Sequence, residues 1–268
     1  MLLQNRVALV TGAGRGIGRA LCREFLRRGA LGVAIADLDG ELARRTAAEL
    51  GVIGLECDVS DARAVAQAVS GVEERYGRLD LLVSNAGFGS TALDLDDALG
   101  EPDATWQRMW EVHVMAHVHA CRAALPGMLA RGEGCLVNVA SAAGLLSQVG
   151  DAAYSATKHA AVSLAESLAI TYGDRGIQVS VACPQYVATA ITGLGEDVEE
   201  GAIPGVLTVE QASLAIADGI EQGNFLLLTH PEVLGFFQKK AADYERGLAG
   251  MRKLREGLRA GGFLKVKG

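Results

Sequence analysis

The chain has 268 residues, half of them hydrophobic, with 34 glycines, five cysteines and a net charge of −7. That length suits a compact α/β body with a large buried core, and the acidic balance argues against nucleic acid as a partner. The cysteines (Cys22, Cys57, Cys121, Cys135 and Cys183) have no paired spacing, which argues against a disulfide framework or a zinc site and predicts buried free thiols in a reducing compartment.

The N-terminal residues show no secretory pattern, because polar residues and a strand follow Met1-Leu2-Leu3 at once. No apolar run approaches the roughly 18–20 residues that cross a bilayer. The expectation is a soluble cytoplasmic protein without membrane contact.

Residues 6–10 read as a short buried strand that runs into Thr11-Gly12-Ala13-Gly14-Arg15-Gly16-Ile17-Gly18. A helix is predicted over 19–28, then an apolar strand over 33–36 that ends on Asp37. Strand, glycine turn, helix, strand and terminal acid form a nucleotide-binding βαβ unit. Glycine lets the backbone turn tightly and approach a pyrophosphate, and the helix N-terminus offers free N–H groups and partial positive charge. Asp37 stands where a carboxylate can accept from ribose hydroxyls.

A helix follows over 40–50 and a strand over 52–57 that ends at Asp58. Ser60-Asp61 caps a helix to Tyr76, closed by Gly77. A strand over 79–84 leads into Asn85-Ala86-Gly87, and 88–103 reads as a long loop. The helix over 105–130 contains Pro126, which predicts a kink or an end there. Strands over 134–139, 178–183 and 225–228 alternate with helices over 152–172 and 208–221. The acidic, glycine-rich stretch 193–205 reads as a mobile lid or a surface loop, and the basic tail over 231–259 reads as helical.

Short, continuous, apolar strands alternating with helices predict a Rossmann-type, doubly wound sheet of seven parallel strands with helices on both faces. No linker divides the chain, so a single domain over 1–268 is expected, with 231–268 as a C-terminal helical extension. Functional residues should gather beyond the strands' carboxyl ends, where Asp37, Asp58, Asn85 and Ser141 all fall.

Tyr154 and Lys158 lie four residues apart at the start of a predicted helix, on one face and one turn apart. A neighbouring ammonium favours phenolate and brings a tyrosine, ordinarily near pKa 10, toward the working range. Ser141, at the end of the preceding strand, can hydrogen-bond an oxygen on a reacting carbon.

These motifs together resemble the short-chain dehydrogenase/reductase family over roughly residues 5–230. The resemblance rests on Thr11 to Gly18 as TGxxxGxG, on Asp58, on Asn85-Ala86-Gly87, on Ser141 with Tyr154 and Lys158, and on Pro184 to Thr189 after the sixth strand. It implies hydride transfer between a nicotinamide and a secondary alcohol or ketone. Tyr154 would be the general acid in reduction and the base in oxidation. Lys158 would lower its pKa and bind the nicotinamide ribose, and Ser141 would orient the substrate oxygen. It further implies cofactor contacts from Gly12, Arg15, Gly16, Ile17 and Gly18 at the phosphates, and from Asp37 and Leu38 at the adenosine ribose. Asp58 and Val59 would flank adenine. Asn85, Ala86 and Gly87 would line the cleft, and Pro184, Val187 and Thr189 would hold the carboxamide.

Two positions depart from the family pattern. His113 stands where similar proteins carry an asparagine that frees a main-chain carbonyl for a proton path. It is either a packed core histidine or an added titratable imidazole with an ordinary pKa near 6.5. His117 shares its face but no third ligand is apparent, so no metal is expected. Gln185 replaces a glycine and faces either solvent or the nicotinamide pocket.

Asp37 would set charge against charge with a 2′-phosphate and so favours NAD, whereas Arg15 pulls the other way. The expected substrate wall is Leu145, Leu146, Val149, Gln185, Tyr186, Ile191 and Leu194, with Ser141 and Tyr154 at the reacting end. That wall is largely apolar and suits a hydrophobic small molecule. The resemblance implies a homo-oligomer, a tetramer or dimer. The alternatives are a catalytically silent dinucleotide-binding sensor or scaffold, and an epimerase or dehydratase on the same fold.

Overall fold

Strand β1 (Val7–Thr11) lies inside the sheet, hydrogen-bonded in parallel to β2 (Gly32–Asp37) on one side and β4 (Leu81–Ser84) on the other. The computed structural model describes residues 1–90 and 93–261; Thr91 and Ala92 of the long loop, and 262–268 of the expected extension, lie outside them. With β3 (Ile53–Glu56), β5 (Gly134–Val139), β6 (Ile177–Ala182) and β7 (Leu226–Leu227), the described strands form one seven-stranded parallel sheet in the order β3-β2-β1-β4-β5-β6-β7. The chain winds outward through β2 and β3, then returns to β4 on the opposite side of β1. A cleft opens beyond the strand ends at that reversal.

Alternate residues of β1 face opposite helix layers, as a two-residue period requires. Val7 and Leu9 join a core with α3 (Ala62–Tyr76), α5 (Ala116–Arg131) and α6 (Ala152–Tyr172). Ala8 and Val10 join a second core with α1 (Gly16–Arg27), α2 (Gly40–Leu50) and α7 (Val209–Glu221). All five cysteines are buried and free. No helix among the described residues is long and apolar enough to cross a membrane.

Several boundaries differ from expectation. The first helix begins at Gly16, with Arg15 as its N-cap residue, so the glycine turn and the helix overlap. The strand expected over 79–84 begins only at Leu81; before it the buried Asp80 carboxylate receives the Val7 N–H, at the start of β1, at 2.9 Å. β7 is reduced to Leu226 and Leu227.

The helix expected over 105–130 breaks at neither end of the Pro126 turn. It consists of α4 (Asp103–Trp110), a π-helical turn over Glu111–Met115, and α5, which runs through Pro126 to Arg131. Proline removes one N–H, which frees the carbonyl four residues before it; Pro126 and Arg122 are both exposed, so water can satisfy that group. The tail is also two helices. α8 (Glu232–Ala242) and α9 (Tyr244–Arg259) are separated by Asp243, which is extended and accepts the Arg246 N–H as the cap of α9.

Candidate active site

Two cavities flank the carboxyl end of the sheet. One, about 790 Å³, lies over the β1–β4 reversal and is lined by the glycine turn, the ends of β2 and β3, and the start of the loop after β4. The other, about 620 Å³, lies between the loop after β5 and the α8–α9 hairpin.

The first cavity is shaped by close backbone approach. Gly12 has φ +61, and a Cβ there would stand 2.6 Å from the Ala86 Cα. A Cβ on Gly18 would stand 2.6 Å from Asn85 Nδ2 and 2.6 Å from the Gly12 carbonyl oxygen. The Asn85 side chain donates to the carbonyls of Thr11 and Gly12, both at 3.0 Å, and the Thr11 hydroxyl accepts the Asn85 N–H at 3.0 Å. These bonds tie the end of β4 to the turn.

An anion already sits on the N-terminus of α1. Glu196, from the acidic stretch, accepts the Gly16 N–H at 2.7 Å and pairs with Arg19 at 2.5 Å. A carboxylate chosen from the chain itself occupies the place where a helix N-terminus favours phosphate. The Asp37 carboxylate ends β2 and accepts the Gly14 N–H at 2.9 Å and the Asp39 N–H at 3.1 Å. Asp58 accepts from the Ser60 N–H at 2.9 Å and its hydroxyl at 2.7 Å, and lies 3.5 Å from Arg108 of α4. Although burial opposes it, these bonds hold the Asp58 carboxyl below the usual range.

The residues expected around a cofactor divide clearly. Gly12, Arg15, Gly16, Ile17, Asp37, Leu38, Asp58, Val59, Asn85, Ala86, Gly87 and Thr189 line the larger cavity. Gly18 lies packed beneath the turn, Val187 is buried and bridged to Leu207, and the Pro184 carbonyl is used by Ser141 and Ala142. Of the residues expected around a substrate, Ser141, Val149, Gln185 and Tyr186 line the smaller cavity, with Leu146. Leu145 is turned into the core and Ile191 faces the larger cavity, while Leu194 lines neither. Tyr154, expected at both substrate and cofactor, and Lys158, expected at the cofactor, are not on the wall of either cavity. Ser147, on the wall of the smaller cavity, has φ +146, a backbone conformation that costs a non-glycine residue energy.

Ser141, Tyr154, Lys158 and His113 come together between the cavities. Ser141 caps a short turn after β5; its hydroxyl accepts the Ala143 N–H at 3.1 Å and stands 3.4 Å from the Pro184 carbonyl. Asp151 caps α6 through the Tyr154 N–H at 3.0 Å and also receives the Ser90 N–H at 3.2 Å. One turn along, the Lys158 ammonium donates to the Val139 carbonyl at 3.2 Å and lies 5.4 Å from the centre of the Tyr154 ring. A Cβ on Gly87 would be 3.6 Å from Lys158 Nζ and 3.5 Å from the His113 ring, which sets this group against the larger cavity.

Burial governs the titration of both groups. It pushes the Tyr154 phenol up to about 12, against a hydrogen bond from Ser141, and pulls the Lys158 ammonium down to about 8. Each is driven toward its neutral form, so the expected depression of the tyrosine by the lysine does not dominate here.

His113 sits at the middle of the π-helical turn, fully buried. Its Nε2 accepts the Phe88 N–H at 3.2 Å and its Nδ1 lies 3.0 Å from Thr157 Oγ1, which donates to the Tyr154 carbonyl at 2.9 Å. A backbone amide can only donate, so Nε2 carries the lone pair and Nδ1 the proton. Burial and the Lys158 charge lower its pKa to about 2, so it does not titrate near 6.5 as an exposed imidazole would. It is both a packed core residue and an edge-on neighbour of Tyr154, with ring centres 5.5 Å apart.

The short chain dehydrogenase family model matches residues 6–199. The chain belongs to the short-chain dehydrogenase/reductase family. It is 41% identical over 202 residues to 2-(S)-hydroxypropyl-CoM dehydrogenase 3 of Xanthobacter autotrophicus, covering 72% of this chain and 75% of the relative. It is 35% identical over 195 residues to meso-2,3-butanediol dehydrogenase of Serratia marcescens, with the same 72% and 75% coverage. A Burkholderia phymatum short-chain dehydrogenase/reductase solved in complex with NAD superimposes with a TM-score of 0.81 at 29% identity, over 91% of this chain and 96% of that one.

Sequence reasoning missed Arg108 and Ser60 at Asp58, Glu196 on the Gly16 amide, and Thr157 between His113 and Tyr154. The acidic composition of 193–205 signals a possible anion but not which residue reaches the turn. Thr157 lies inside the Tyr-x-x-x-Lys spacing, where only the turn of the helix shows that it faces His113.

Proposed function

We propose that this short-chain dehydrogenase/reductase transfers hydride between NAD(H) and a secondary alcohol or its ketone. The reading rests on one juxtaposition: Ser141 lines the second cavity and is hydrogen-bonded to Tyr154, and one helical turn on Lys158 reaches the Gly87 side of the cavity that carries the dinucleotide-type glycine turn. The larger cavity suits the cofactor. Glu196 marks the anion position on α1 as a stand-in for pyrophosphate, and Asp37 offers a carboxylate to ribose hydroxyls while repelling a 2′-phosphate.

Bound nicotinamide supplies or accepts the hydride. The protein's part is to place the substrate oxygen and manage its proton. Ser141, on the wall of the smaller cavity, donates to that oxygen and stabilises negative charge on it. Tyr154, kept protonated by burial, delivers a proton to the oxygen in reduction; in oxidation the phenolate must form first. Lys158, fixed by the Val139 carbonyl, faces the Gly87 side, where it holds the nicotinamide ribose and keeps positive charge near the phenol. The dehydrogenase names of the Xanthobacter and Serratia relatives support the same reaction class.

The enzyme works in the cytoplasm, consistent with five buried free thiols, and assembles through α5 and α6; sedimentation would test the assembly. The activity is tested by following NADH absorbance over a panel of secondary alcohols and ketones with NAD and with NADP. Turnover that vanishes in Tyr154→Phe while NADH binding persists supports the proposal. NADH binding by the wild-type protein with no turnover of any alcohol or ketone favours a silent sensor instead, and turnover unchanged in Tyr154→Phe means that another group handles the proton.

A further inference from the structure

The smaller cavity is roofed by a segment beyond the matched family region, which ends at residue 199. Residues 231–259 carry seven lysines and arginines against four acids, in a chain whose net charge is −7. Three of those cations, Lys239, Lys240 and Arg246, line the cavity that Ser141 also lines.

Their situations differ. Lys240 is committed to structure: its ammonium donates to the carbonyls of Leu145 at 2.8 Å and Leu146 at 3.0 Å, which pins α8 to the loop after Ser141. Lys239 and Arg246 have no carboxylate within ion-pair distance among the described residues. The acid facing the same cavity is Asp243, and its side chain accepts the Arg246 N–H at 2.9 Å as the cap of α9. The rest of the wall is largely apolar, with Leu146, Val149, Phe236, Met251 and Leu254 beside Ser147, Gln148 and Gln185. A chamber of about 620 Å³ therefore has a hydroxyl at the reacting end, an oily middle and net positive charge supplied by its roof.

We infer that the substrate is an amphipathic anion: a secondary alcohol or ketone on an aliphatic chain that ends in a carboxylate held by Lys239 and Arg246. The inference rests on the hydride-transfer reading and narrows its substrate class. Both cations are exposed at the rim of the cavity, so a neutral substrate of equal length leaves them hydrated, whereas an anion that reaches the rim pairs with them as it docks. Arg246 offers a planar fork that fits a carboxylate in two places, and Lys239 adds a mobile point charge.

The test compares hydroxyoctanoate bearing its hydroxyl on the penultimate carbon with its methyl ester. Both are assayed with NAD by NADH formation, and both are titrated calorimetrically into the NADH complex. At low ionic strength the acid should show a KM and a Kd about tenfold or more below the ester, a difference of roughly 1.4 kcal/mol. Added salt should narrow the gap, because ions screen the roof charges. In the Lys239→Gln/Arg246→Gln double variant the two compounds should fall within about threefold of each other, and Arg246→Lys should recover part of the preference. Equal or better use of the ester, or a preference that survives the double variant, overturns the inference. The two readings fail separately. Turnover without charge preference removes the anion site and leaves hydride transfer standing. Calorimetric binding of the acid that depends on Lys239 and Arg246, with no turnover of any alcohol, removes hydride transfer and leaves the anion site.

Discussion

Thr157 Oγ1 lies 3.0 Å from His113 Nδ1, and through it the π-helical turn is bonded to the carbonyl of Tyr154. The same imidazole receives the Phe88 N–H, so one side chain joins the loop after β4 to the first turn of α6. Under the proposed function His113 would be a positioning residue. His113→Leu leaves the Phe88 amide and the Thr157 hydroxyl short of partners, and should cost about 1–3 kcal/mol of stability. Its kcat should fall by about tenfold or more with little change in KM. His113→Asn, which can still accept from one group and donate to another, should recover most of that loss. A pH–rate profile with an inflexion near 6.5 that disappears in His113→Asn would show that the imidazole is protonated and the tautomer assignment wrong.

The same burial makes the fold acid-sensitive. His113 is held at about 2 and His117 at about 3, both far below an unfolded imidazole. A group whose folded pKa is depressed gives stability that is full above the unfolded value, near 6.5, and is lost as pH falls toward the folded value. Denaturant midpoints should therefore decline from about pH 6.5 downward, and His113→Asn should flatten that decline.

Tyr154 is protonated at neutral pH because burial pushes it to about 12. Ketone reduction uses that proton and should be fast at neutral pH, then fall as alkali removes it. Alcohol oxidation needs the phenolate and should rise across the alkaline range. Initial rates in both directions over pH 6–10 check the contrast, since with the phenol near 12 reduction should stay flat across that window while oxidation climbs. Parallel profiles in the two directions would mean that a different group handles the proton.

Asp37 supports the turn through the Gly14 and Asp39 N–H groups, and under the proposed function the same carboxylate would select the cofactor. Asp37→Asn can keep the bond from the Gly14 N–H but removes the negative charge and the acceptor for the Asp39 N–H. The ratio of kcat/KM for NADP over NAD should rise by about tenfold or more, with Arg15 then free to attract the extra phosphate. An unchanged ratio would place the ribose elsewhere.

Glu196 competes for the α1 N-terminus that a pyrophosphate needs. Glu196→Ala should tighten NADH binding by roughly threefold to tenfold, measured by fluorescence titration, as a charged competitor at a helix terminus is removed. Weaker binding in the variant would mean that the carboxylate helps to order the cofactor's surroundings.

The sheet was legible because a buried parallel strand is a run of apolar residues that little else explains, as in Val7–Val10 and Leu81–Val83. The π-helical turn was hidden for the opposite reason. Met109, Val112, His113, Ala116, His117, Ala120 and Cys121 are buried at the spacing of an unbroken α-helix, so the pattern gives no sign of the wider turn. Pro126, the residue that did suggest a break, sits on the exposed face, where losing a hydrogen bond is cheap. At the site, the glycine turn, Asp37, Ser141, Tyr154 and Lys158 were readable from motif spacing. Arg108, Glu196 and Thr157 were not, since each acts through a contact with a distant segment or across a helix turn that no local pattern encodes.

The α8–α9 hairpin has one further consequence for how substrate enters. α9 buries no residue, and α8 buries only Val233. Its other anchors among the described residues include Phe237, half-buried against the core, the Lys240 bonds to two carbonyls, and Arg259 on the Leu95 carbonyl and Asp96. So little apolar surface holds it that the hairpin can unfold locally, at a small fraction of the free energy that holds the sheet. The chamber roof would then open many times for each global unfolding event. Amides of α9 should exchange with solvent long before those of β1 and β5, and a protease should nick this segment first while the nucleotide cleft stays intact.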